Sequence, residues 1–289
     1  METFEIKNFN NLPRLLPSTA IIGNFDGVHI AHQKLFLEAQ KIGLKTLVIT
    51  FCNLYKDEEV LTTVSERCHY FEKMGADYLI LFDYEMIRIM FHNEFEKLLK
   101  RIKVKNIICG NNFHYGYKNE GDVIDLEHYF NVYPMGNLEI DGLMVSTTNI
   151  KKLLHEGNID LANYFLGKPY MISGPVIHGN QIGRTLGFKT ANVDYGKYTL
   201  PLDGVYEVMV LCNKMAYLGM ANIGLNPTLN LQSKRRLEVH IIDFNEDIYG
   251  ENISVLFLKY LRQETKYPSR EALIESLIKT VDYIKEDMK

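Results

Sequence analysis

Short apolar runs alternate with helix-spaced segments over the first two-thirds of the chain. Ala20-Ile21-Ile22-Gly23 is an apolar run ending in glycine, and Lys45-Thr46-Leu47-Val48-Ile49-Thr50-Phe51 is rich in β-branched residues. Between them, Leu35, Phe36 and Ala39 fall at helical spacing within 32–43, and Gly43 supplies a stop. A strand, a helix and a strand within about 30 residues predict a βαβ unit and a parallel sheet. The pattern continues with a helix over 65–74, a strand over 78–82, a helix over 93–100 and a buried strand over 106–110.

The texture changes near Leu166-Gly167-Lys168-Pro169-Tyr170. Beyond it, alternating runs at 170–177, 204–211, 215–223, 236–243 and 253–260 are separated by turn residues, which predicts a small antiparallel barrel. A final segment, 269–287, places Ala272, Leu273, Leu277, Ile278, Val281 and Ile284 on one face of an amphipathic helix. The expected division is therefore 1–167 and 168–289.

Composition narrows the class without changing this picture. The chain has 289 residues, 46% apolar and 24% charged, with a net charge of −4. That excludes a disordered chain, and it lacks the basic surplus of a duplex-DNA binder. No stretch approaches the roughly 18 apolar residues of a spanning helix, and the first residues show no signal-peptide pattern. Cys52, Cys68, Cys109 and Cys212 stand far apart, which suits buried thiols in a reducing compartment. The expectation is a cytoplasmic, globular, two-domain protein, with no nucleic-acid or membrane partner and with homo-oligomerisation left open.

Two segments carry candidate chemistry in the first part. Gly23-Asn24-Phe25-Asp26-Gly27-Val28-His29-Ile30-Ala31-His32 joins the first strand to the first helix. Open α/β sheets bind ligands at that carboxyl end, and helix N-termini attract phosphate through unpaired donors and the dipole. The two histidines also admit plainer readings, as surface residues at a helix start or as a metal pair. Val145-Ser146-Thr147-Thr148-Asn149-Ile150-Lys151-Lys152 sets three hydroxyls before two cations at another helix start. One hydroxyl is an ordinary N-cap; three followed by Lys also suit a triphosphate.

In the second part, Gly174-Pro175-Val176-Ile177-His178-Gly179-Asn180-Gln181-Ile182-Gly183-Arg184 alone reads as hairpin turns. It is followed by Leu186-Gly187-Phe188-Lys189-Thr190-Ala191-Asn192, by Ala221-Asn222-Ile223-Gly224-Leu225-Asn226-Pro227-Thr228, by Leu237-Glu238-Val239 and by Tyr260-Leu261-Arg262-Gln263-Glu264.

Taken together these segments resemble the bacterial bifunctional riboflavin kinase/FAD synthetase family over almost the whole chain. The 23–32 segment is similar to its G-N-F-D-G-V-H-x-G-H signature, and 145–151 to its I-S-S-T-x-I-R motif. Gly110-Asn111-Asn112-Phe113-His114-Tyr115-Gly116 and Leu61-Thr62-Thr63 with Glu66-Arg67 match further family segments. The resemblance implies a Rossmann-like α/β nucleotidyltransferase domain, then a small antiparallel β-barrel kinase domain with a C-terminal helix. The implied reactions are phosphorylation of riboflavin to FMN with Mg-ATP, and adenylylation of FMN to FAD with release of pyrophosphate.

The same resemblance assigns roles. His29 and His32 would stabilise charge on the transferring phosphoryl group, and Gly23, Asn24, Phe25, Asp26, Asn112, Ser146, Thr147 and Lys151 would hold nucleotide. In the kinase half Gly174, Gly179 and Gly183 would cover ATP phosphates, Thr190 and Asn192 would hold Mg²⁺ and nucleotide, and Glu238 would be the general base. Arg262 and Glu264 would meet the substrate. The chain departs from the family at Ala31 (usually Gly), Lys151 (usually Arg), Lys189 (usually Pro) and Asn53-Leu54-Tyr55 (usually Pro-His-Pro). These departures keep two alternatives in view: a kinase with a degenerate adenylyltransferase domain, and a flavin-responsive regulatory protein.

Overall fold

A computed structural model of the chain describes residues 1–52, 58–179, 188–225 and 235–287. Asn53-Leu54-Tyr55, Gly183 and Asn226-Pro227-Thr228 lie outside the described residues. The chain forms two compact units, Met1–Asn149 and Ile150–Lys289.

The first unit is built on six parallel strands: β1 (Glu2–Ile6), β2 (Ser18–Ile22), β3 (Lys45–Cys52), β4 (Tyr78–Asp83), β5 (Val104–Gly110) and β6 (Asn131–Met135). Helix α1 (Ile30–Ile42) joins β2 to β3, α2 (Val64–Lys73) joins β3 to β4, and α3 (Tyr84–Ile87) with α4 (His92–Arg101) leads to β5. The short helix α5 (Val123–Glu127) precedes β6, and a hairpin of β7 (Glu139–Ile140) and β8 (Leu143–Met144) ends the unit.

Central strands read as unbroken apolar runs because both faces are covered. Ala20, Ile22, Leu47 and Ile49 join one buried cluster with Phe95, Leu98 and Leu99 of α4. Their neighbours Ile21 and Val48 point the other way, onto Leu35, Phe36 and Ala39 of α1. The strand order is β1-β4-β3-β2-β5-β6. From β2 the chain builds outward through β3 and β4 on one side, then returns to place β5 and β6 on the other. The carboxyl ends of β2 and β5 therefore flank the topological switch point, where such sheets form their ligand crevice.

Helix α6 (Thr147–His155) runs across the division, and α7 (Ile159–Leu166) belongs to the second unit. Asn163 of α7 donates to the Phe257 carbonyl at 2.9 Å and accepts from the Tyr170 amide at 2.7 Å. The boundary expected after residue 167 thus falls downstream of these helices.

The second unit is a closed antiparallel barrel in the order β10-β13-β12-β11-β14-β9. Its strands are β9 (Tyr170–Ile177), β10 (Ala191–Val193), β11 (Gly204–Cys212), β12 (Met215–Leu225), β13 (Arg235–Ile241) and β14 (Asn252–Arg262). The C-terminal helix, Arg270–Asp287, opens with the Ala272 amide donating to Ser269 Oγ at 3.1 Å. Its Leu277, Val281 and Ile284 pack on Val205, Met220 and Ile242 outside the barrel. Ile278, expected on that face, is 47% exposed. Among the described residues no helix is long and apolar enough to cross a membrane.

Candidate active sites

In the first unit the 23–32 segment leaves β2 through three residues of positive φ, Phe25, Gly27 and Val28. Phe25 is left-handed at φ 56° and Gly27 at φ 80°, so the chain reverses tightly before α1. Phe25 is buried, with its ring 5.1 Å from His32 and 5.4 Å from Phe71. Its ring also lies 3.2 Å from where a side chain on Gly23 would begin, which keeps that position small.

His29 is the N-cap of α1, its Nδ1 accepting from the His32 amide at 3.4 Å. The imidazoles stack at 3.6 Å with an interplanar angle of 16°. Because Nδ1 of His29 accepts, the neutral ring carries its proton on Nε2, which is thereby a donor. The two histidines therefore form one stacked pair at a helix N-terminus, the position that favours an anion. Ala31 between them has ordinary helical backbone, so nothing in the fold demands glycine there.

Asp26 is 1% exposed. Its carboxylate accepts from the amides of Leu61 and Thr62 at 3.0 Å and 2.9 Å and from the Thr62 hydroxyl at 3.1 Å. Thr62 Oγ1 in turn accepts from the Gly27 amide at 2.8 Å. The contacts of Asp26 shape the turn. Arg67 of α2 donates to the Asn24 carbonyl, and the Thr50 hydroxyl donates to the same oxygen at 3.2 Å. Thr62 and Arg67 lie in the segment that matches the family, without a local pattern that marks them as site residues. Their signal lies in these long-range contacts, which no local pattern encodes.

Residues 146–149 come to the same place. Thr147 Oγ1 donates to the Asp26 carbonyl at 3.0 Å, and Ser146 Oγ accepts from the Asn149 amide at 3.3 Å as a cap. Asn112 is exposed just beyond β5, at the carboxyl edge beside β2. Lys151 lies one turn into α6, beyond Asn149.

In the barrel the site is set by strand register. Asn192 on β10 pairs with Glu238 on β13, and Glu238 pairs with Asn222 on β12. Their strand neighbours Ala191, Val193, Leu237, Val239, Ala221 and Ile223 are buried in the interior. Asn192, Glu238 and Asn222 therefore stand in one row on the outer face, as expected for a Glu between two core residues. Burial pushes the Glu238 carboxyl above the usual carboxylate range, nearby Glu264 adds to the rise, and Arg236 opposes it. A proton acceptor of raised basicity results.

Gly179 lies against the Asn192 amide: a side chain there would begin 2.1 Å from Nδ2. Gly174 is bare for a different reason, since a side chain would begin 2.0 Å from the Asp194 carbonyl oxygen. Its role is the close approach of backbone to backbone. Thr190 opens onto a cleft of about 250 Å³, lined also by Val176, Ala191, Val239, Phe244 and Tyr249. The His178 ring stacks on Tyr249 at 4.0 Å.

Arg262 and Glu264 follow at the end of β14. Arg262 Nη2 donates to Ser276 Oγ at 3.4 Å, and its guanidinium sits 5.9 Å from the centre of the Tyr267 ring. A second cleft, of about 390 Å³, lies here between β14 and the C-terminal helix. Glu264 Oε1 accepts from Asn222 Nδ2 at 2.7 Å. Asn222 is the barrel residue that sequence reasoning passed over, because only register places it beside Glu238.

Comparison with known proteins agrees with this division of chemistry. Residues 14–149 match the FAD synthetase family and residues 166–288 the riboflavin kinase family. A bifunctional riboflavin kinase/FMN adenylyltransferase from Buchnera aphidicola subsp. Schizaphis graminum is 35% identical, covering 97% of each chain. The protein of that name from Listeria monocytogenes is 34% identical over 89% of this chain and 88% of its own. A crystal structure described as a macrolide-efflux protein from Streptococcus pneumoniae superposes with a TM-score of 0.90 at 31% identity, covering 99% of both chains. The whole-chain likeness in sequence and in both units has one reading: the chain belongs to the bifunctional riboflavin kinase/FMN adenylyltransferase family.

Proposed function

We propose that the barrel phosphorylates riboflavin to FMN with Mg-ATP, and that the first unit adenylylates FMN to FAD with release of pyrophosphate. The observation that carries the reading is the row Asn192–Glu238–Asn222, which sets a basic carboxylate beside an amide held against Gly179.

In the kinase step Glu238 accepts the proton of the ribityl 5′-hydroxyl as that oxygen bonds to the γ-phosphorus. The bond from γ-phosphorus to its bridging oxygen breaks, and ADP leaves. The Thr190 cleft takes the nucleotide. Thr190 lines that cleft and Asn192 follows two positions on; both are neutral oxygen donors, a set that fits a hard cation arriving with ATP, and Mg²⁺ held by them would neutralise phosphate charge. Arg262 and Glu264 border the flavin side.

In the second step an FMN phosphate oxygen attacks the α-phosphorus of ATP, and the bond to the departing pyrophosphate breaks. The protein supplies no nucleophile, so positioning and charge stabilisation carry the rate. His29 and His32 meet the transferring phosphoryl group. Ser146, Thr147, Lys151 and Asn112 border the nucleotide, and Gly23, Asn24, Phe25 and Asp26 set the shape of the turn beneath it. This half rests on the meeting of the 23–32 and 145–149 segments at the switch point.

The test is to incubate the purified protein with riboflavin and Mg-ATP and to separate the flavins. The expected result is FMN followed by FAD. FMN alone would overturn the assignment of the first unit, and neither product would overturn both.

A further inference from the structure

We propose that Asn222 is a positioning residue for the kinase step, seating the Glu264 carboxylate beside Glu238 to accept hydrogen bonds from the polyol chain of the flavin substrate. The inference rests on the reading of Glu238 as base and adds a residue to it. Asn222 faces outward from β12, in register with Glu238. Its Nδ2 donates to Glu264 Oε1 at 2.7 Å.

Two positions along the same face, Gly224 completes the seat. A side chain on Gly224 would begin 2.2 Å from Glu264 Oε1 and 2.4 Å from Oε2. The carboxylate therefore lies on bare backbone, steadied by one amide, although it comes from the loop beyond β14. A donor and a missing side chain, two residues apart, specify where that carboxylate sits.

Its chemistry says which substrate it faces. The Glu238 carboxylate on β13 and the Glu264 carboxylate, held on Asn222 of the neighbouring β12, repel the phosphates of ATP, so this end of the row belongs to the hydroxyl substrate. A ribityl chain presents several neighbouring hydroxyl donors. If Glu238 accepts from the terminal one, a second fixed acceptor is needed for the next along the chain, or that donor loses its partner on leaving water. Glu264 fills that need only while Asn222 holds it in place.

The experiment is a steady-state comparison of Asn222→Ala, Glu264→Ala and the double variant in the full chain. Asn222→Ala should raise the KM for riboflavin about tenfold, the scale of one hydrogen bond to a charged group, and leave the KM for Mg-ATP within about twofold. In the Glu264→Ala background the same substitution should change the riboflavin KM by less than about twofold, because both act through one carboxylate. An unchanged riboflavin KM, an equal rise in both KM values, or multiplying effects would overturn the proposal. Asn222→Ser provides the same readings if Asn222→Ala fails to fold. Loss of FMN formation in Glu238→Gln is scored separately, so the base can stand even where Asn222 does not.

Discussion

The Thr147 hydroxyl donates to the main-chain carbonyl of Asp26 at 3.0 Å, joining segments 121 positions apart in the chain. Through it the start of α6 meets the turn that carries the histidine pair. A neutral hydrogen bond contributes about 1 kcal/mol. Thr147→Val should therefore slow FAD formation from supplied FMN about fivefold while riboflavin phosphorylation stays unchanged. Thr147→Ser should restore the rate. An equal loss in both reactions would mean general destabilisation instead.

Gly179→Ala tests the other nucleotide site. The new methyl would begin 2.1 Å from Asn192 Nδ2, and the amide, not the barrel backbone, is what must move. The expected outcome is a folded protein whose kinase kcat/KM for Mg-ATP falls at least about tenfold, as misplacement near reacting groups costs up to about 10²-fold. FAD formation from supplied FMN should be untouched. Wild-type kinase kinetics would show that the Asn192 amide has no part in using nucleotide.

How much of this was readable beforehand follows from what each feature depends on. β2, β3 and the amphipathic α1 show in the sequence because burial imposes periods on their residues. β1 and β6 do not: both are edge strands with mostly exposed residues, and β6 contains Pro134. β10, three residues long, is too short to carry a period. The helix α7 shows no such signal, although Ile159, Ala162, Phe165 and Leu166 are buried in the fold. Site residues divide the same way. The histidine pair and Glu238 stand in local motifs, whereas Asn222, Thr62 and Arg67 act through pairing and contacts across tens of residues. Asp26 reads as a nucleotide contact in the motif, while its carboxylate is occupied with Leu61 and Thr62.

The acid limb of the kinase profile should reveal the pairing of carboxylates. Burial raises the Glu238 carboxyl and Glu264 raises it further. A general base works deprotonated, so kcat/KM should fall as pH drops through a value above the usual carboxylate range. Glu264→Gln removes one cause of the rise and should move that limb to lower pH. A limb that stays put would show that Glu264 does not sense the base.

Glu207 offers a stability test away from both sites. It is 2% exposed, and burial first and Asp287 next push its carboxyl above the usual range. The unfolded chain loses this proton at the ordinary value, so stability falls as pH rises from there through the raised value. Glu207→Gln should melt like wild type below that window and at higher temperature above it. Identical melting curves at both ends would remove Glu207 as the cause.

The separation of two chemistries on one chain is tested most directly by Glu238→Gln supplied with either flavin. With riboflavin and Mg-ATP it should form no FMN, a loss of at least about 10²-fold for a missing general base. With FMN and Mg-ATP it should form FAD at the wild-type rate, since the histidine pair and the Thr147–Asp26 contact lie in the other unit. Near-wild-type FMN formation, or loss of both reactions in a folded protein, would contradict the assignment.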